Sequence, residues 1–439
     1  MRSTSFACCG AWLALLVASA GAAEFSYQGR DADDWLDLLE AGDASQRRVA
    51  AYALGRIAAE HGPAFAQAAP RVAPALTRRV TPVEGQLEVR WYAIQALGHL
   101  GPAAAVAIET ISENIRNPPL GDPTIQLVAA QALGRIGPDA KSAVPVLHKA
   151  IESENATLRI EAALALFRID PSEAKAAIPV IRAALIDEDA DTAITAAVAA
   201  GSFGAAARGA IPALIDLLGR DDADVRRAAV RTLADIGPAA AAPLGEAIAA
   251  PEIDGVTLRR VGGAIAALRL LHDRLWDRAT TQPRAEELRQ LVTGTTGPPL
   301  ADLLTADAQS LRGAAASALA AAGWPGAPLL CRSLARPAVG NLDAVEKGLA
   351  LLADRLSGGH RERTENGPFE QDRVAAAAGL VDALRDDRPA VQAVALKALV
   401  ELGLAPLAAE AEPTLRRLAR SDQPEVRRYA AQALRAMFE

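Results

Sequence analysis

One stretch is copied along this chain at nearly constant intervals. Ile125 to Pro138 reads IQLVAAQALGRIGP, and its neighbours follow suit: VRWYAIQALGHLGP from Val89, LRIEAALALFRIDP from Leu158 and VRRAAVRTLADIGP from Val225. Each copy runs aliphatic residue, usually Arg, small residues, Leu, aliphatic, stop and Pro. Aligned on the anchor position, the copies fall at Leu54, Leu97, Leu133, Leu166, Ala200, Leu233, Ala266, Leu319, Leu399 and Leu434, and between Leu97 and Ala266 the period is 33 to 36 residues. A repeat of this length is one small unit that cannot hide its apolar face alone, so neighbours must stack into an elongated core.

The unit is a pair of helices. In the copy at Val225 the apolar residues Val225, Ala229, Leu233 and Ile236 recur at helical spacing, which buries one face. Gly237 suits a left-handed position after the helix, and Pro238 sits where a new helix begins and needs no N–H. A second helix follows with its own early proline, as at Pro145, Pro179 and Pro212. Aspartates such as Asp187, Asp189, Asp221 and Asp222 precede the next copy, where acids cap free N–H groups. With 51 % apolar but only 4 % aromatic residues, the core is built mainly of Ala, Leu, Val and Ile, a composition that favours helix. The fold class is therefore all-α: a solenoid of about 10–11 helix pairs.

In D-x-VR-x-AA-x-x-ALG-x-IGP followed by A-x-x-A-(V/I)-P-x-L, the chain resembles the HEAT-repeat family, particularly the bacterial HEAT-like repeats of the phycobilisome-lyase type. The resemblance implies a right-handed alpha-alpha superhelix, and it covers nearly the whole chain after the N-terminal segment. For function it implies little, because the family includes scaffolds, lyases, hydroxylases and DNA repair proteins.

Residues 1–23 read as a secretory signal peptide: Arg2, an apolar run from Ala7 to Val17, then the small residues ASAGAA. The run is short for a membrane span, which needs about 20 apolar residues. No other stretch is read as long and apolar enough to span a bilayer, and the mature chain is expected in the periplasm or outside the cell. Cys8 and Cys9 leave with the signal, so Cys331 remains alone and an internal disulfide is ruled out. Residues 24–275 are expected to hold N-terminal repeats. An insertion, 276–299, is rich in Thr, Gly and Pro, and 300–439 holds further repeats, partly degenerate, with a second polar insertion at 357–368.

Signatures of chemistry are missing. Neither a phosphate-binding glycine loop nor H-E-x-x-H nor G-x-S-x-G occurs. The run Asp187, Asp189, Asp191 has the spacing of calcium ligands, but Thr192 and Val198 stand where a Gly and a Glu are needed, so these acids read as caps. The five histidines lie in different units and none precedes a Glu, which departs from the His-Glu pairs of the HEAT-repeat iron hydroxylases. Neither cofactor nor metal is expected. The net charge of −7 argues against nucleic acid.

Two basic stripes remain. Arg47, Arg90, Arg159, Arg226, Arg259, Arg312 and Arg427 share one offset and are expected to form an Arg–Asp ladder between units. Arg56, His99, Arg135 and Arg168 share another, two residues past the anchor, after which the row stops at Ser202. Helix dipoles favour cations there, yet equivalent offsets also line up across a solenoid. With Tyr52, Gln95 and Gln131 on the same face, the row is the expected contact surface for an acidic or polar protein partner. Trp91 and Tyr92 add aromatic area that serves contact or packing. The expected function is an exported scaffold. The alternative is a lyase-like or enzyme-accessory protein that grips a small molecule near the insertions.

Overall fold

The computed structural model describes residues 25–249, 255–279, 281–306, 308–335, 342–357 and 367–438. Residues 1–23, read from the sequence as a signal peptide, and most of the 357–368 segment lie outside them. The chain divides into two compact units, the first ending at Phe203 and the second starting at Gly204. The boundary read from the sequence at 275/276 falls inside a continuous helix of the second unit, Gly255–Arg278.

The first unit opens with a two-residue antiparallel pair, β1 (Ser26–Tyr27) and β2 (Arg30–Asp31), ahead of the repeats. Helices follow in order: α1 (Ala32–Ala41), α2 (Ala44–His61), α3 (Ala69–Val80), α4 (Leu87–Leu100), α5 (Ile108–Arg116), α6 (Pro123–Ile136), α7 (Val144–Ala150), α8 (Ala156–Ile169), α9 (Ala174–Leu185) and α10 (Ala190–Phe203). The copies of the repeated grammar are α2, α4, α6, α8 and α10, each packed on the next, and α3, α5, α7 and α9 form a second layer behind them.

Helix starts and stops obey the local chemistry. Asp43 accepts from the Gln46 N–H while Gln46 Oε1 returns a bond to the Asp43 N–H, a capping box. Asp122, Asn155 and Asp189 cap α6, α8 and α10 through side-chain oxygens. Gly101 and Gly137 end α4 and α6 at φ 59° and 76°, a conformation only glycine adopts freely. The proline after each starts a short 3₁₀ turn, Gly101–Ala107 and Gly137–Ala143, before the second-layer helix.

The glycine of each ALG triplet, to which the sequence reading gave no role, is a contact. Gly55, Gly98 and Gly134 lie inside helices that continue past them. A Cβ on Gly55 would meet the Ala96 Cβ at 3.2 Å, and one on Gly134 would meet the Ala165 Cα at 2.9 Å. Small residues thus let consecutive front-layer helices approach almost backbone to backbone.

The second unit repeats the scheme with α11 (Ile211–Leu217), α12 (Ala223–Ile236), α13 (Ala241–Ile248), α14 (Gly255–Arg278), α15 (Gln282–Leu291), α16 (Gly297–Leu303), α17 (Gln309–Ala321), α18 (Ala327–Ser333), α19 (Leu342–Ser357), α20 (Glu370–Ala383), α21 (Pro389–Glu401), α22 (Glu412–Leu418) and α23 (Pro424–Ala436). Its front layer is α12, α14, α17, α19, α21 and α23. The segment read as an insertion at 276–299 is helical: α15, a π-helical turn Val292–Thr296 and α16 supply the second-layer partner of α17.

The Arg ladder also takes another form. Arg159 Nη1 donates to the carbonyls of Ser153 and Glu154, Arg226 Nη1 to those of Arg220 and Asp221, Arg312 to Ala306 and Arg427 to Ser421. Each fork folds back on the turn that leads into its own helix and satisfies carbonyls five or six residues upstream. Arg47, which likewise holds the Gly42 carbonyl, also meets Glu84 at 2.8 Å, whereas Arg259 reaches an adjoining pair, at the Gly219 carbonyl and at Asp221 (2.9 Å).

One run, Ala190–Leu217, is apolar enough in length and composition to suggest a span, with mean hydropathy 1.4, contrary to the sequence reading. It is not one α-helix: Gly204, at φ 53°, ends α10 and starts a 3₁₀ turn.

Candidate functional site

The row expected to bind a partner is assembled in the first unit. His99, Arg135 and Arg168 occupy the last turns of α4, α6 and α8, Arg56 lies a turn earlier in α2, and Arg56, His99 and Arg135 directly follow the contact glycines Gly55, Gly98 and Gly134. The glycine therefore sets how closely the bases approach one another. Arg135 and Arg168 are exposed, Arg56 retains half its side-chain exposure, and His99 is half-buried.

Charge accumulates along the row. Arg135 Nη1 lies 3.4 Å from His99 Nε2, and a guanidinium can only donate, so this geometry needs His99 neutral at Nε2. Burial, then Arg135 and Arg56, push the His99 pKa down. Burial and the Arg168 charge likewise lower the Arg135 pKa, against the pull of Glu161. Arg56 pairs with Glu60 at 2.5 Å, but neither Arg135 nor Arg168 has an ion pair among the described residues. Arg135 and Arg168 are thus held near one another without an ion pair to offset their charges, an arrangement that an acidic partner relieves.

The neighbouring positions follow the same faces. Tyr52 is 38 % exposed and Gln95 and Gln131 are half-buried, one turn before the bases. Rings join edge to face from Tyr27 to Tyr52 (5.9 Å), Tyr52 to Tyr92 (5.4 Å) and Tyr92 to Trp91 (5.0 Å). Three of the chain's four tyrosines stand here, so the aromatic surface is concentrated at this end of the row. Trp91 and Tyr92 both pack partly on the core and line an open cleft of about 370 Å³ with Arg48, Glu88, Asp122 and Thr124. Arg48 and Glu88 form an ion pair there at 2.6 Å. A second cleft of about 490 Å³ lies by Arg30, Trp35, Gln46 and Val49.

Groups that sequence reasoning passed over lie in the second unit, and they are structural. His272 is fully buried; its Nδ1 donates to the Ala318 carbonyl at 2.9 Å and its Nε2 accepts from the Thr296 hydroxyl at 2.9 Å. Burial lowers its pKa to about 4. Arg289 of α15 grips both oxygens of the buried Asp372 (2.9 and 3.1 Å) and the Pro368 carbonyl. Thr296 and Arg289 of the supposed insertion are therefore spent on packing it. The only hint was His272 standing one turn after Leu268 on the apolar face. Cys331 is buried, which pushes its thiol up and makes it inert. No cluster of three or more metal-ligating side chains occurs among the described residues.

Residues 118–200, 178–266 and 377–438 match the family described as HEAT repeats; the match does not single out the phycobilisome-lyase type. No curated protein matches the chain. Among solved structures, an engineered protein is 21 % identical, with 93 % of this chain and 99 % of that one covered and a TM-score of 0.41. Importin beta is 14 % identical, with 99 % of this chain and 65 % of its own covered, at a TM-score of 0.48. Kap95p, described with RanGDP, is 14 % identical over 92 % of this chain and 55 % of its own, at 0.46. With the period, the paired layers and the three matched regions in agreement, the chain belongs to the HEAT-repeat family.

Proposed function

We propose that this protein is an exported scaffold that binds another protein on the front layer of its first unit. The observation that carries the reading is the uninterrupted row Arg56, His99, Arg135 and Arg168, in which Arg135 and Arg168 have no ion pair among the described residues. Tyr52, Gln95, Gln131 and Trp91 border it and supply hydrogen-bonding and aromatic contact area. HEAT repeats present extended surfaces of this kind, and such surfaces serve chiefly for binding. The signal-like segment at residues 1–23 supports a periplasmic or secreted location.

The test is affinity capture of the protein from the periplasm beside a variant carrying Arg56→Glu, Arg135→Glu and Arg168→Glu. Loss of a captured protein in the variant supports the reading, and an identical captured set sinks it. Mass spectrometry of the exported chain should find an N-terminus at or a few residues before Glu24.

A further inference from the structure

The spacing of the bases says what the partner looks like. Three consecutive interfaces, α2 with α4, α4 with α6 and α6 with α8, are closed by Gly against Ala: Gly55 with Ala96, Gly98 with Ala132 and Gly134 with Ala165. Contacts this close put neighbouring helix axes at the short end of the usual range of about 8–10 Å. The bases sit beside these contacts, so their roots are spaced at that same interval. An extended polyproline-II segment rises about 3.1 Å per residue with three residues per turn, so one of its edges returns about every 9 Å.

Resting on the reading of this face as a protein-binding surface, we infer that its partner is an extended polyproline-II-like segment with an acidic residue at every third position. Four such residues over about a dozen positions meet Arg56, the ring N–H of the neutral His99, Arg135 and Arg168 in turn. The Arg135 guanidinium, now leaning 3.4 Å from His99 Nε2, swings to the carboxylate between them. Gln95 and Gln131, each one turn before a base, carry an amide that both donates and accepts and so can hold the main chain of a segment with no internal hydrogen bonds. A charge-complementary partner suits a chain whose overall charge is −7 only at a local basic row such as this one.

The test is fluorescence anisotropy of the full chain with labelled twelve-residue peptides. One carries Glu at every third position with Pro and Gln between, one has the same composition with its four Glu contiguous, and one has Lys for Glu. The period-three peptide should bind at least tenfold more tightly than the contiguous one, and the Lys peptide should not bind. Arg135→Gln with Arg168→Gln, and separately Arg56→Gln with Arg168→Gln, should each weaken the period-three peptide at least tenfold. Arg78→Gln, on the second-layer helix α3, should not. Equal binding of both acidic peptides, lost in the Gln variants, would overturn the spacing and leave the binding face standing. Binding that the Gln variants do not alter, or no acidic binding at all, would overturn both. Tighter binding to phosphatidylglycerol vesicles than to the peptide would replace the acidic segment by a lipid surface.

Discussion

Gly98 and Ala132 meet backbone to backbone: a Cβ on Gly98 would stand 2.9 Å from the Ala132 Cα. Two helices that owe their approach to a missing methyl group cannot accept one without moving apart.

Gly98→Ala should therefore destabilise the protein, by roughly 1–2 kcal/mol, even though Ala is the better helix former by about 1 kcal/mol. Gly262, inside α14, has nothing within 4 Å of its would-be Cβ, so Gly262→Ala should stabilise by about 0.5–1 kcal/mol. Urea unfolding of both variants decides the matter by sign alone. A gain at Gly98 would show that the close approach is not needed.

Arg226 Nη1 holds the carbonyls of Arg220 and Asp221 at 2.7 Å each. Its neighbour Arg227 is exposed and pairs with Asp224 on the surface. Arg226→Ala should cost on the order of 1–2 kcal/mol, whereas Arg227→Ala should stay within about 0.5 kcal/mol. Thermal melts of the two variants side by side provide the comparison.

His272 binds fewer protons folded than unfolded, since burial takes its pKa from 6.5 to about 4. Stability from this group is complete above pH 6.5 and is lost as pH falls toward 4, at about 2 kcal/mol between pH 7 and pH 5. At Glu84, burial pushes the carboxyl up, but the Arg47 hydrogen bond, the Gln86 N–H and Arg79 outweigh it and leave the pKa lowered. That stability is likewise lost on acidification, through the carboxylate range. Denaturant midpoints at pH 7 and pH 5 should show the loss. His272→Gln should flatten the pH dependence between them even if it lowers stability throughout.

Asp372 is buried against Arg289, and burial pushes its carboxyl up while the guanidinium pulls it down. Removing one partner leaves the other charge buried alone. Asp372→Ala should cost about 3–5 kcal/mol, and Asp372→Ala with Arg289→Met should recover a good part of that. A double-mutant cycle on chemical unfolding measures the coupling, and simple additivity would show the pair to be inert.

The repeat was readable because helical periodicity, Gly-Pro exits and acidic caps are local signals, written within a dozen residues of the structure they specify. Gly101, Gly137, Asp122 and Asn155 do what their types suggest. The role of Gly55, Gly98 and Gly134 went unread because a contact between units leaves no local mark. The 276–299 segment was misread for a related reason. Its Thr-Gly-Thr-Thr-Gly run lacks helix propensity, but Thr296 reaches His272, and Arg289 reaches Asp372, partners 24 and 83 residues away. The alignment of Arg56, His99, Arg135 and Arg168 followed from the period itself; the contact between Arg135 and His99 and the edge-to-face rings needed coordinates.

Because forks such as that of Arg226 close on carbonyls of their own turn, those helix pairs carry their fastening within themselves. A whole block of about 33 residues can be added or deleted without orphaning any such fork. The length of a molecule built this way is therefore free to drift by duplication, and new reading surface arrives in ready-made increments.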